Sequence, residues 1–368
     1  MSQKRKAYEL LNQTLLHFPP PLRSLALSSL ARVPWEKRLP SFLMVEPTNG
    51  CTLRCPLCPV GAQTTTRAPG FLDVDAYTRL LEELRTHVTR ILMNFAGEPL
   101  LHPRIADLIA ATRNAGIQID IGTHGNIDKM QEIVDAGVSS VLFALDGASQ
   151  QVYETYRRRG RVDKAIRNLE KLMEARRRLG GGGPEVTLQM VVMKHNLHEA
   201  AQIVQIGADM GVDAVLLRPV CVNDFFEEDS RDLKTTWVPP ESLVAALGLD
   251  RSGWRSKRPV LCDWFTQCVI LFNGDVTVCC YDTDGKHVSG NAFEEGFEAV
   301  WRGRRLAEGR RGVVHQSLEV CSGCDINLLQ PVVFDPRNPP AGVIAALEGV
   351  RQAPARVVAP RRPVLDMP

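Results

Sequence analysis

The 368-residue sequence is marked first by what it lacks. No apolar run approaches the roughly eighteen residues that a membrane-spanning helix needs. Charge of one sign is not in excess: 44 Lys and Arg against 42 Asp and Glu leave a net charge of +2. So small a balance gives no argument for nucleic acid or a membrane surface as partner. No export signal is visible either. The start, Met1-Ser-Gln-Lys-Arg-Lys, is basic, but Asn12, Gln13, His17 and Pro19-Pro20-Pro21 break the apolar stretches behind it. Ten cysteines would suit a disulfide framework in a small secreted chain. Here they are clustered in a long chain, so metal ligation in a reducing, cytoplasmic setting is the expectation.

One absence is more pointed. The stretch Glu46-Pro-Thr-Asn-Gly-Cys51-Thr-Leu-Arg-Cys55-Pro-Leu-Cys58-Pro-Val-Gly61 holds three cysteines at the spacing C-x3-C-x2-C and no fourth. Closed structural zinc sites take four protein ligands, and most four-iron clusters take four cysteines. Three thiolates on one loop leave a metal position open for chemistry. A zinc loop completed by a distant residue, or three unrelated buried cysteines, are the bland readings of this spacing.

The chain has the length of a large domain plus a smaller one, and its 44% hydrophobic and 23% charged residues suit a globular protein. Residues 1–39 read as an amphipathic helical segment around Tyr8, Leu10, Leu11, Leu15 and Leu16, stopped by the three prolines, with a second short helix over 22–32. From residue 40 to 221 the apolar pattern alternates. Strands are expected over 41–45, 90–95, 117–122, 139–144, 185–192 and 214–217, and helices over 73–84, 104–115, 127–136, 150–156, 162–179 and 197–210. Strand–helix alternation means parallel pairing with right-handed crossovers. The expected fold is therefore α/β, a partial (β/α)6 barrel open on one side, with function at the C-terminal strand ends.

Unusual residues fall at those ends. Ala96-Gly97-Glu98-Pro99 follows the second strand; a glycine lets backbone approach a ligand, and a carboxylate can accept from an ammonium. A plain turn with a helix-capping acid is the bland alternative. Thr123-His124-Gly125-Asn126 follows the third strand, and Leu145-Asp146-Gly147 the fourth. Arg157, Arg158, Arg159 and Arg161 crowd the next helix end, where an arginine run is usually a solvated face. The sixth strand ends in Arg218-Pro219-Val220-Cys221. A free cysteine there is more often buried filler than chemistry.

Residues 222–260 read as a connector, acidic at Glu227-Glu228-Asp229 and proline-rich at Pro239-Pro240, that helps shape the substrate mouth. A second cysteine set lies in residues 261–330. Asn273-Gly274 between two apolar runs is a hairpin signal, and it brings Cys262 towards Cys279 and Cys280. A short helix over 296–303 leads to Cys321-Ser-Gly-Cys324, and no cysteine follows. The set makes a four-thiolate site for zinc or iron–sulfur, with Cys268 left to core packing. Residues 331–368 read as a Pro- and Arg-rich tail with a helical patch at 341–352.

These motifs together resemble the radical S-adenosylmethionine (radical SAM) superfamily with a SPASM/twitch extension. The resemblance implies that Cys51, Cys55 and Cys58 hold a [4Fe-4S] cluster, with S-adenosylmethionine on the fourth iron. It places Leu57, where the family often has an aromatic residue, near the adenine. It assigns Gly97, Glu98 and Pro99 to the methionine amino group, Thr123 and Asp146 to the cofactor pocket, and Arg157 to the cofactor carboxylate. In the extension, whose hairpin-plus-helix form is small, it implies one auxiliary four-iron cluster on Cys262, Cys321, Cys324 and one of Cys279 and Cys280, its Gly-x4-Cys spacing selecting Cys279. Asp282 and Asp284 are near but do not align with the family's catalytic aspartate. The implied activity is abstraction of a substrate hydrogen atom, and the expected reaction is dehydrogenation of a small polar metabolite. Peptide modification, for which residues 1–40 are short, is the alternative. So is epimerisation with Cys221 as catalytic hydrogen donor. The implied reductant is a flavodoxin or ferredoxin. A non-enzymatic zinc or redox-sensing binding protein is the rival from another class.

Overall fold

The structure, a computed structural model, describes residues 35–222, 230–240, 262–321, 324 and 332–343, with isolated positions elsewhere. The helices expected before residue 33 and the acidic run 227–229 lie outside the described residues. Six strands pair in parallel and in chain order: β1 (Phe42–Val45), β2 (Arg90–Met93), β3 (Gln118–Thr123), β4 (Ser140–Ala144), β5 (Glu185–Val192) and β6 (Ala214–Pro219). Between them run α1 (Val74–Leu84), α2 (Ile105–Asn114), α3 (Met130–Ala136), α4 (Gln150–Tyr156), α5 (Val162–Arg178) and α6 (Ala200–Met210). This is the expected set of βα units. Boundaries shift where backbone chemistry demands it. β2 stops at Met93, ahead of Phe95 with φ 154°. The helix expected over 127–136 begins only at Met130, after a turn in which Lys129 N–H donates to the Ile127 carbonyl.

Strand side chains alternate between two faces, and the register fixes which face is which. Leu188 pairs with Val215, and a Cβ on Gly207 of α6 would lie 2.7 Å from Val215 Cγ2. Leu43, Ile91, Ile119, Val141, Leu188 and Val215 are fully or almost fully buried, and they form the core with the helices. The opposite face carries Met44, Leu92, Leu142, Thr187, Val191, Leu216 and Arg218, all half-buried. That face is the inside of a barrel that six strands leave open.

Both edges of the six-stranded sheet are covered. β7 (Val269–Ile270) runs parallel to β1, matching Met44 with Val269 and Val45 with Ile270. β8 (Asp275–Thr277) and β9 (Val288–Asn291) follow antiparallel, and Gly274, at φ +90°, makes the turn before β8. On the far edge β10 (Val332–Phe334) pairs antiparallel with β6, so part of the expected tail is a strand. Unpaired edges expose backbone donors and acceptors that a neighbouring strand satisfies. The C-terminal hairpin is thus continuous with the barrel sheet, in the order β10-β6-β5-β4-β3-β2-β1-β7-β8-β9. In the connector, α7 (Ser230–Trp237) is described. Three helices follow β9: α8 (Ala292–Glu295), α9 (Phe297–Arg302) and α10 (Arg304–His315). Trp301 of α9 is buried and its Nε1 donates to the Arg38 carbonyl at 3.0 Å, which anchors these helices beside β1. No helix among the described residues is long and apolar enough to cross a membrane.

Candidate active site

The cysteine loop leaves β1 at Glu46 and returns at Leu72. Its two ends are stitched by the Thr-Asn pair that precedes the cysteines. Thr48 Oγ1 donates to the Gly70 carbonyl at 2.7 Å, Asn49 Nδ2 donates to the Ala68 carbonyl at 3.0 Å, and Asn49 Oδ1 accepts from Gly70 N–H at 2.9 Å. Cys55 is buried, Cys51 and Cys58 half-buried. Leu53 N–H donates to Cys51 Sγ at 3.4 Å. Burial pushes the Cys51 thiol up to about 12, with Glu98, Cys55 and Cys58 adding to the rise. Burial likewise lifts Cys55 to about 11, although Arg157 opposes it. Among the described residues no three Cys, His, Asp or Glu donors already converge on a metal-binding geometry. The loop does gather three soft donors that act electrostatically on one another.

The strand ends brace this loop. A Cβ on Gly97 would lie 2.3 Å from the Thr48 carbonyl oxygen and 2.5 Å from that of Gly50, so the turn after β2 rests directly on loop backbone. Glu98 is buried, and its carboxylate accepts from Leu100 N–H at 3.2 Å, Thr123 Oγ1 at 2.8 Å and His124 N–H at 2.9 Å. The capping reading of Glu98 is what the structure displays, since it caps the 3-10 turn Pro99–Leu101 and also ties β2 to β3. Burial lowers the His124 pKa despite Glu98 alongside. Asp146, fully buried after β4, accepts from Arg157 Nε at 2.6 Å and Val191 N–H at 2.7 Å. Arg157 Nη1 lies 3.8 Å from Cys55 Sγ. Of the arginine run Arg158, Arg159 and Arg161 are exposed, so Arg157 is the member that reaches the cysteine loop.

Leu57 packs into a small apolar cluster with Tyr156, Met193, Val220, Val222 and Trp237. Trp237 of α7 is buried, with Tyr156 at 5.5 Å and His195 at 5.4 Å edge-on. The connector therefore does reach the barrel mouth. Nothing in its composition singled out Trp237. Cys221 is half-buried beyond β6, hydrogen-bonded to Arg218.

The second set lies along the hairpin and the segments that flank it. Cys280 lies within electrostatic reach of Cys279, Cys262 and Cys324. Cys279 Sγ accepts from Tyr281 N–H at 3.4 Å, the same arrangement that Cys51 has with Leu53. Cys324 N–H donates to the Cys321 carbonyl at 3.4 Å. Asp282 is buried and held by Thr277 Oγ1 at 2.6 Å and two backbone N–H groups, and Asp284 accepts from Thr66 N–H at 2.8 Å. Cys268 is fully buried, as core packing predicts. A junction that the sequence did not disclose joins the two loops. Arg67 forms a bidentate pair with buried Glu46 at 2.6 and 2.8 Å and donates from Nε to the Thr283 carbonyl at 2.6 Å. Phe272 N–H donates to the same carboxylate at 3.2 Å.

Comparison with known proteins meets this geometry. A family model described as the radical SAM superfamily matches residues 45–206, and one described as an iron-sulfur cluster-binding domain, SPASM, matches residues 262–325. The chain belongs to the radical SAM superfamily. A tungsten-containing aldehyde ferredoxin oxidoreductase cofactor-modifying protein of Pyrococcus furiosus is 26% identical over 65% of this chain and 70% of its own length. The mycofactocin maturase MftC of Mycobacterium ulcerans is 25% identical over 77% of this chain and 80% of its own. Streptococcus suis SuiB, crystallised with its precursor peptide SuiA, aligns with a TM-score of 0.56 at 16% identity, covering 80% of this chain and 72% of that one. Radical SAM enzymes carry a four-iron cluster with S-adenosylmethionine, and SPASM domains carry auxiliary iron–sulfur clusters. The donor sets suit that content, because both offer thiols and soft thiolates select iron–sulfur or zinc.

Proposed function

We propose that this radical SAM enzyme dehydrogenates a small polar metabolite. The reading is carried by one observation: the first cysteine loop leaves β1, the second leaves β8 of the hairpin whose first strand, β7, pairs with β1, and Arg67 ties one loop to the other. When bound, the first cluster and S-adenosylmethionine would supply an acceptor for one substrate hydrogen atom, and an auxiliary cluster an acceptor for the second electron, with the accompanying proton released to water. In this reading Cys51, Cys55 and Cys58 hold the first cluster, and Cys262, Cys279, Cys321 and Cys324 hold one auxiliary cluster. Gly97 to Pro99 and Thr123 face the cofactor, with Glu98 fixing the β2 and β3 ends. Asp146 and Arg157 position the loop at Cys55, and Leu57 supplies apolar contact where a ring is absent. Trp237, packed against Leu57 and Val220 at the strand ends, suits a small substrate, and the Pyrococcus relative, a cofactor-modifying protein, supports the same reading.

A second reading, epimerisation, is favoured by the place of Cys221 at the inner end of β6. Product chemistry separates the two. With a small-metabolite extract, dehydrogenation yields a product two hydrogen atoms lighter, and a Cys321→Ala/Cys324→Ala variant still cleaves S-adenosylmethionine but makes no such product. A product of unchanged oxidation state carrying one deuterium from D2O, lost in Cys221→Ala, would replace this reading with epimerisation.

A further inference from the structure

Arg218 is a half-buried cation at the end where the chemistry collects. Its place on β6 follows from the register. Val215 and Leu217 face the helix layer, so by strand alternation Arg218 faces the barrel interior, beside Val191 of β5. From there its guanidinium hydrogen-bonds with Cys221 and lies within electrostatic range of Tyr281 and Cys280 beyond β8. It therefore stands between the segment that carries Cys221 just beyond β6 and the loop that bears Cys279 and Cys280.

A charge drawn partly out of water gains from a partner, and the carboxylates described at the strand ends are already engaged. Glu46 is held by Arg67. Glu98 is held by Leu100, Thr123 and His124. Asp146 is held by Arg157. Glu199 accepts from Ala148, Ser149 N–H and Ser149 Oγ, and Asp282 from Thr277 and two backbone N–H groups. The other inward-facing arginine, Arg90, sits at the opposite end of the barrel and pairs with Asp120. Among the described residues, none of these carboxylates faces Arg218.

We propose that Arg218 receives a carboxylate group of the substrate inside the barrel. The planar guanidinium fork matches a carboxylate with two parallel hydrogen bonds. A singly charged group suits one guanidinium, whereas phosphate generally gathers more donors, and the next residue, Pro219, has no N–H to offer. The inference builds on the proposed function and narrows its substrate to an acid. The contact sets the orientation of the substrate between Cys221 and the hairpin, without taking part in bond breaking.

The test uses the anaerobically reconstituted full chain saturated with S-adenosylmethionine. Binding of succinate and of its neutral diamide is measured by calorimetry for wild type, Arg218→Gln and Arg218→Lys. Succinate is expected to bind wild type and to lose about tenfold or more in affinity in Arg218→Gln, the loss of a charged hydrogen-bonding partner. The diamide is expected to bind none of them, and Arg218→Lys to recover part of the affinity. Affinity for S-adenosylmethionine and iron content are expected to stay at wild-type values. A blocked tripeptide, acetyl-Ala-Glu-Ala-amide, runs in parallel; Arg218-dependent binding of it supports the same contact with a peptide as the source. Succinate and tripeptide binding that is absent in wild type, or unchanged in Arg218→Gln, would overturn the proposal. So would a parallel loss of affinity for S-adenosylmethionine, which would give Arg218 to the cofactor carboxylate. If Arg218→Gln fails to fold, Arg218→Lys decides, since it keeps the charge and loses only the fork. A chain that forms no 5′-deoxyadenosine defeats the functional reading itself, whereas intact cleavage with Arg218-independent binding defeats only this inference.

Discussion

Gly97 is a position at which a single added methyl group is expected to do harm. Its neighbours are the backbone carbonyls of Thr48 and Gly50, at 2.3 and 2.5 Å from an added Cβ, and backbone cannot swing aside as a side chain would. Gly97→Ala is expected to cost about 1–3 kcal/mol through overpacking and to displace the loop that carries Cys51. Thermal unfolding and 5′-deoxyadenosine formation should both fall; wild-type values for both would refute the close packing. At the Cys279 and Cys280 pair, geometry favours the sulfur that already accepts a backbone N–H, as Cys51 does. Thiolate is the ligating form, and a donor N–H stabilises it. Cys279→Ser is therefore expected to lose the auxiliary iron while Cys280→Ser keeps it. The opposite pattern would exchange the two roles, and the reach of Cys280 towards Cys262 and Cys324 makes the comparison informative.

Between elements, the Glu46–Arg67 pair is the fastening that matters. The Glu46 side chain is fully buried and that of Arg67 only 13% exposed. Removing one partner of such a pair leaves an uncompensated buried charge, worth about 3–5 kcal/mol. Glu46→Ala is expected to lower stability by that order and to loosen the loop from the hairpin, read as a lower melting temperature and faster proteolysis near residue 67. A Glu46→Met/Arg67→Met double variant is expected to recover most of the stability; no recovery would show that the pair does more than balance charge. This junction also marks where sequence reading stopped. The βα order, the hairpin at Asn273-Gly274 and the cysteine sets were legible, because periodicity, turn chemistry and ligand spacing are local signals. The parallel pairing of β7 with β1 joins residues more than two hundred positions apart. Arg67 lies in a polar stretch without period, and Trp237 in a connector whose composition names no partner. The resemblance singled out Arg157 among Arg158, Arg159 and Arg161, and its lower exposure and contact with Asp146 are the physical ground that residue types alone could not give. β10 was missed because three residues carry no usable alternation.

At the scale of the whole molecule, one ten-stranded sheet carries both cysteine loops, the braces at the strand ends and the half-buried inward face. The half-buried inner face and the fully buried outer one follow from strand alternation in an unclosed barrel. The central claim is that this single sheet supports two iron–sulfur centres and a radical reaction. Anaerobic reconstitution followed by iron, sulfide and 5′-deoxyadenosine measurement tests it most directly. The account predicts about eight irons per chain, two four-iron clusters, with 5′-deoxyadenosine formed from S-adenosylmethionine and dithionite and lost in a Cys51→Ala/Cys55→Ala/Cys58→Ala variant. Bound zinc without acid-labile sulfide, and no 5′-deoxyadenosine, would contradict it.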